Sequence, residues 1–98
     1  MKIVWTGPAI TDLENLKLYI SQDCSQYASI FISKIINVAE SLITFPEIGR
    51  IVPERNNKLI REVVFQHYRI IYKVEKEIIY ILTVCHGSRD LTTWIEKK

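Results

Sequence analysis

Three apolar runs in the second half of the chain, residues 59–65, 68–74 and 78–84, are separated by only two or three residues. Each is rich in Val, Ile and Tyr, residue types that suit a pleated, half-buried surface. Strands joined so tightly must pair antiparallel, because a parallel pair needs a long crossover. The turns fall at Gln66-His67 and Glu75-Lys76-Glu77. A meander of this kind needs something apolar on one of its faces, and the first half of the chain supplies it.

Residues 1–6 read as a short strand. Gly7-Pro8 then opens a helix, with Pro8 suited to the first turn. Ala9, Leu13, Leu16 and Ile20 recur at spacings of four, three and four, one stripe of a helix. Asp12 and Glu14 lie near its N-terminal end, where the helix dipole favours them. Ser25 is the expected N-cap of a second helix. Ala28, Phe31, Ile35, Val38 and Leu42 form its stripe, with Ile32, Ile36, Ala39 and Ile43 beside it. So wide an apolar face predicts cover from both a sheet and the first helix. Pro46 disfavours helix in the residue ahead of it, so the helix ends before Phe45. Residues 45–58, with Pro46, Gly49 and Pro53, read as a loop. The expected fold is α+β in the order β-α-α-β-β-β. A helical hairpin packs on one face of a small antiparallel sheet, and the other face is left partly open for a site.

The chain has 98 residues, which predicts a single domain over 1–98. Cys24 and Cys85 make no disulfide framework and lack metal-ligand spacing. With no apolar run near the roughly 20 residues of a membrane span, and a start too short for a secretory signal before Gly7-Pro8, a cytoplasmic protein is expected. Charge is uneven. Residues 1–49 hold three Lys/Arg and five Asp/Glu, a net −2, whereas residues 50–98 hold ten and six, a net +4. The basic second half suggests an anionic partner.

Arg61 and Arg69 are charges inside otherwise apolar strands. Each either pairs with a nearby carboxylate, such as Glu62 or Glu54, or reads phosphate with its guanidinium fork. His86 follows closely on the last run, at the end of its strand, and is a possible acid or base; a structural role fits it equally. Asp90 suits a cap on the terminal turn, and His67 sits in a turn with no role assigned. A carboxylate, an imidazole and two guanidiniums, here Glu54, His86, Arg61 and Arg69, form a set able to cleave RNA without metal. One group takes the 2′-hydroxyl proton, another protonates the leaving oxygen, and the arginines stabilise the phosphorane. No cofactor or metal is implied: the sequence has no P-loop, no G-x-S-x-G and no metal-spaced cluster.

Taken in order, these pieces resemble the RelE/ParE superfamily of bacterial type II toxin–antitoxin systems. The resemblance rests on Ala9-x-x-Asp12-Leu13 with Tyr19-Ile20, Phe31-x-x-Lys34-Ile35, and the loop Phe45-Pro46-x-x-Gly49-Arg50-x-Val52-Pro53-Glu54. It continues through Ile60-Arg61-Glu62, Tyr68-Arg69-Ile70-Ile71-Tyr72 and Val84-x-His86-Gly87-x-Arg89-Asp90-Leu91. It implies a growth-inhibiting toxin neutralised by a cognate antitoxin, with which it forms a hetero-oligomer. It also implies one of two targets. ParE-like members poison DNA gyrase and are not hydrolases; RelE-like members cut mRNA in the ribosomal A site. The loop at 49–54 and the ending at 86–91 look ParE-like, and no tyrosine follows Tyr80 where RelE-like nucleases commonly carry a catalytic tyrosine or histidine. On the gyrase reading, Arg50, Arg89, Asp90, Leu91 and Trp94 are the expected contacts with target or antitoxin. On the nuclease reading, Arg61, Arg69 and His86 line the open face with Glu54 at its rim. A third possibility is an inactive toxin that serves only as a corepressor with its antitoxin.

Overall fold

The meander forms as its spacing requires. In the computed structural model, which describes residues 1–96, the three runs become β3 (Ile60–Phe65), β4 (Tyr68–Glu75) and β5 (Ile78–His86), each antiparallel to the next. The β4–β5 turn holds Lys76 at φ 53° and Glu77 at φ 63°, both left-handed. That geometry matches the right-handed twist of paired strands, and it is adopted here without the Asn or Gly that usually occupies it.

Two further strands complete the sheet, in the order β1-β5-β4-β3-β2. β1 (Lys2–Trp5) lies parallel to β5, so the sheet is not wholly antiparallel. The two helices carry the chain from β1 to β2 at the far edge of the sheet, and the strands then return to β5 beside β1. β2 (Arg50–Ile51) forms inside the segment expected to be a loop, pairing Arg50 with Glu62 and Ile51 with Arg61. Two residues between Gly49 and Pro53 are too few to show an alternating pattern.

α1 (Gly7–Ser21) begins on Thr6, whose side chain accepts from the Ala9 N–H and donates to the Ile81 carbonyl at 2.7 Å. One side chain thus caps the helix and ties it to β5. α2 (Ser25–Glu40) is capped by Cys24, not by Ser25: the Cys24 sulfur accepts from the Tyr27 N–H, and Ser25 is the first helical residue. A 3-10 turn, Ser41–Ile43, carries the chain out of α2 before Pro46. Phe31, Ile35, Ala39 and Leu42 pack against Ile70, Tyr72, Ile79, Ile81 and Val84 to form the main core.

The spacing of the β5 core residues shows a local device. Ile79 and Ile81 face the helices two residues apart, but the next such residue is Val84, three further on. Ile71 pairs with Thr83 and Tyr72 with Ile81, which leaves Leu82 as an extra residue in β5. A β-bulge of this kind switches the alternation while keeping the strand paired. Asp12 of α1 fixes it, accepting from the Val84 N–H at 3.0 Å and from the Thr83 hydroxyl. Asp12 is the sixth residue of α1 and lies beyond its first turn, where the dipole effect has faded, so it acts across the helix–sheet interface and not on the helix N-terminus.

The second face of the sheet, expected to be partly open, is covered. Val52 and Leu91 lie buried with Ile60, Ile71, Leu82 and Cys85, and Trp94 and Tyr80 pack at the margin. The tail after β5 forms neither a helix nor a frayed end over these residues; it folds back across the sheet. Burying a leucine fully contributes roughly 1.5–3 kcal/mol, and Leu91 is wholly inaccessible.

Candidate functional site

Alternation along the strands decides which candidate side chains can meet. Arg69 pairs with Val64 and Cys85 on the tail-covered face. Arg61 pairs with Tyr72 on the helix-covered face. His86 pairs with Tyr68, their rings 5.6 Å apart, and Tyr68 in turn sits edge-on to Phe31 of α2 at 5.6 Å. The four residues that would form a metal-free nuclease are therefore divided. Glu54 and Arg69 share one face, and Arg61 and His86 lie on the other.

Arg69 is the centre of a buried ion cluster. Its side chain is 5 % exposed. The Glu54 carboxylate accepts from both ends of its fork, at 2.9 and 2.8 Å, and Glu62 accepts at 3.0 Å. Glu62 has a side chain with no exposure and a second partner, Arg50, at 2.6 Å. Bidentate pairing of this sort is strong because both bonds are charge-assisted and planar. The hydrogen bonds from Arg69 hold the Glu54 carboxyl down to about 2, well below its ordinary 4.5. The two carboxylates push the Arg69 guanidinium further up, chiefly through Glu54. Both ends of the Arg69 fork are engaged, while its buried Nε has no hydrogen-bond partner among the described residues, and of the two outcomes open for a charge in this strand, pairing with Glu54 and Glu62 is the one found.

The cluster also reaches the tail. Arg69 donates to the Arg89 carbonyl, and the Glu54 carboxylate accepts from the Leu91 N–H at 3.3 Å. Arg55 donates to the Trp94 carbonyl at 2.6 Å and stands over the Trp94 ring at 5.5 Å. Lys73 of β4 meets Glu96 at 3.3 Å. Residues 89–96 are thus held at four points. Arg55 was not singled out in the sequence; an arginine beside Glu54 in a charged loop gives no signal that it will stack on a tryptophan 39 positions away.

The remaining candidates separate by exposure. Arg89 and Asp90 are exposed at the start of the tail. Asp90 accepts from the Thr92 N–H and hydroxyl, which lowers its pKa. Arg50 is exposed but tied to Glu62. Leu91 is core, and Trp94 is half-buried. Arg61 donates to the Gly49 carbonyl at 2.9 Å. Tyr72 holds the same loop, donating to the Pro46 carbonyl at 2.8 Å and accepting from the Gly49 N–H at 3.0 Å. Gly49 is required there, since a Cβ would stand 2.6 Å from both the Glu62 carbonyl and the Tyr72 hydroxyl. His86 is exposed and bonded through Nδ1 to the Ser88 hydroxyl at 2.7 Å.

A cavity of about 390 Å³ opens between the start of α1 and the tail, lined among others by Pro8, Leu82, Arg89, Trp94 and Ile95. Among the described residues no group of three or more His, Cys, Asp or Glu is placed to hold a metal ion. None of the helices among them is long and apolar enough to cross a membrane.

A helical hairpin on a five-stranded, mostly antiparallel sheet is shared with chains solved in two toxin–antitoxin systems. A structure of the chromosomal ParDE system from P. aeruginosa superposes with a TM-score of 0.74 at 19% identity, covering 88% of this chain and 95% of that one. The toxin–antitoxin complex RelBE2 from Mycobacterium tuberculosis gives 0.63 at 21% identity, covering 87% and 95%. At these identities the likeness establishes the fold. The sequence comparisons go further. The family described as the ParE toxin of type II toxin-antitoxin system, parDE, matches residues 3–91. Toxin RelE2 of Caulobacter vibrioides is 31% identical over 88 residues, covering 90% of this chain and 97% of the relative. The chain belongs to the ParE toxin family, within the RelE/ParE superfamily, and is the toxin of a type II toxin–antitoxin system.

Proposed function

We propose that this toxin arrests growth by binding DNA gyrase rather than by cutting RNA, and that a cognate antitoxin neutralises it by binding it. The observation that carries this reading is the division of Glu54 and Arg69 from Arg61 and His86 across the two faces of the sheet. General acid–base catalysis requires groups within hydrogen-bond reach of one substrate, and a sheet lies between these. Arg69 is already occupied by two carboxylates, so its charge serves the fold instead of a phosphate. The family match is to ParE toxins, the group whose resemblance carried the gyrase expectation. The antitoxin follows from family membership and from the two solved neighbours, both from toxin–antitoxin systems. In this reading the contact surface is the exposed side of residues 89–95 with the cavity beneath it.

The double variant Arg61→Gln, His86→Ala tests the reading. Induced in cells without antitoxin, it stops growth as the unaltered chain does. Loss of toxicity, with the fold and antitoxin binding intact, would point to catalysis and overturn the proposal.

A further inference from the structure

We infer that Glu54, braced by Arg69, is a positioning residue: it clamps residues 89–94 against the sheet so that Arg89, Trp94 and Ile95 are presented as a rigid contact surface. The proposal rests on the binding reading above for its function, but the clamp itself is a property of this chain.

The geometry argues for a clamp rather than an ordinary ion pair. Glu54 Oε2 has two partners, the Arg69 guanidinium at 2.8 Å and the Leu91 N–H at 3.3 Å. Arg69 makes a matching double use of its Nη2, which donates to Glu54 and to the Arg89 carbonyl. The pair therefore satisfies tail backbone groups on both sides of Asp90. Backbone groups buried without partners are costly, so the tail cannot lift while Leu91 is seated unless these bonds are replaced. Below the pair, Leu91 fills a pocket formed with Val52, Ile60, Ile71, Leu82 and Cys85. Beyond it, Arg55 pins the Trp94 carbonyl and covers the ring.

The surface this creates has a recognisable character. Ile95 is 74% exposed, a large apolar side chain held in place beside the cavity it helps to line. Arg89 has no ion-pair partner among the described residues and stands at the same rim. A fixed apolar residue next to an unpaired cation suits a protein surface that offers an apolar side chain flanked by a carboxylate. Holding the tail in place before contact lowers the ordering cost of binding.

The test uses Glu54→Gln, which keeps the shape and removes the charge. Three quantities are read: the Leu91 amide exchange rate, antitoxin affinity, and the concentration of toxin needed to trap gyrase on plasmid DNA. In the unaltered chain the Leu91 amide exchanges as slowly as those of β5. In the variant it exchanges faster by about tenfold or more, as expected for weakening hydrogen bonds to a charged group. The half-maximal trapping concentration rises by a similar factor, and retained antitoxin binding shows that the variant is folded. Rapid exchange of Leu91 in the unaltered chain overturns the clamp, whether or not Glu54→Gln folds. A variant with faster exchange and unchanged trapping overturns its role in target binding. If the unaltered toxin traps no gyrase, the binding reading fails, and the exchange data still decide the clamp.

Discussion

Replacing Arg69 by alanine removes the guanidinium shared by Glu54 and Glu62. The consequences differ for the two carboxylates. Glu54 has 21 % of its side chain exposed and can turn toward water. Glu62 has none and keeps only Arg50, whose own side chain is 65 % exposed. Removing one member of a buried pair costs about 3–5 kcal/mol, because the charge left behind is uncompensated. The surviving Arg50 contact places this case near the low end, at about 3 kcal/mol. In a domain of this length each kcal/mol moves the melting temperature by about 4–8 °C. The expected fall is therefore roughly 12–24 °C, measured by thermal unfolding, with a matching drop in the urea midpoint. The Arg69→Met, Glu62→Leu double variant is more stable than Arg69→Ala, because it removes the stranded charge along with its partner. A loss below about 1 kcal/mol for Arg69→Ala, the size of an ordinary surface substitution, would refute the reasoning. A catalytic arginine on an open face predicts the opposite result: an intact fold and lost activity.

Three other perturbations follow from the same contacts. Glu54 has its folded pKa depressed from 4.5 to about 2, so its stabilisation is fully present above about pH 4.5 and is lost as pH falls toward 2; melting temperatures across pH 2–5 should slope less in Glu54→Gln than in the unaltered chain. Tyr72→Phe leaves the Gly49 N–H and the Pro46 carbonyl without their buried partner, which should cost about 1–3 kcal/mol in urea unfolding. Replacing Lys76-Glu77 by Asn-Gly, residues at ease in the left-handed region both positions occupy, should raise stability by about 1 kcal/mol, read as an upward shift in the urea midpoint.

Much of this fold was legible because it is written in local periodicity. The stripe Ala9, Leu13, Leu16, Ile20 and the stripe through Phe31, Ile35 and Leu42 do face the sheet, and the short spacings at Gln66 and Lys76 left no alternative to a meander. Three features were not legible, each for a physical reason. β2 is two residues long and is held by pairing to β3 and by Arg50–Glu62, neither of which leaves a pattern in its own segment. Cys24 displaced Ser25 as the cap because a thiol one residue earlier has the required extended backbone. The second face of the sheet was expected to stand partly open, because nothing in Leu91 or Trp94 announces a return across β3, β4 and β5.

The site was less legible than the fold for a related reason. Sequence gives residue types but not the face on which they emerge. Arg61 and Arg69 look equivalent, as single charges in apolar strands. Alternation and register place them on opposite faces, and only the position of Glu54 after a loop with its own short strand shows which arginine is neutralised. The two roles open for each arginine, pairing with a carboxylate or reading phosphate, are separated by the structure for Arg69, which takes the first.

The most direct measurement runs purified toxin through two assays in parallel. In one it is added to DNA gyrase and supercoiled plasmid, and trapped cleavage complexes are scored. In the other it is added to ribosomes translating a defined mRNA, and new 5′ ends are mapped. A binding toxin gives gyrase–DNA complexes that increase with toxin concentration while the mRNA stays intact. Cuts within the A-site codon, with gyrase unaffected, would contradict that account and return Glu54, Arg61, Arg69 and His86 to the catalytic role that their division across the sheet argues against.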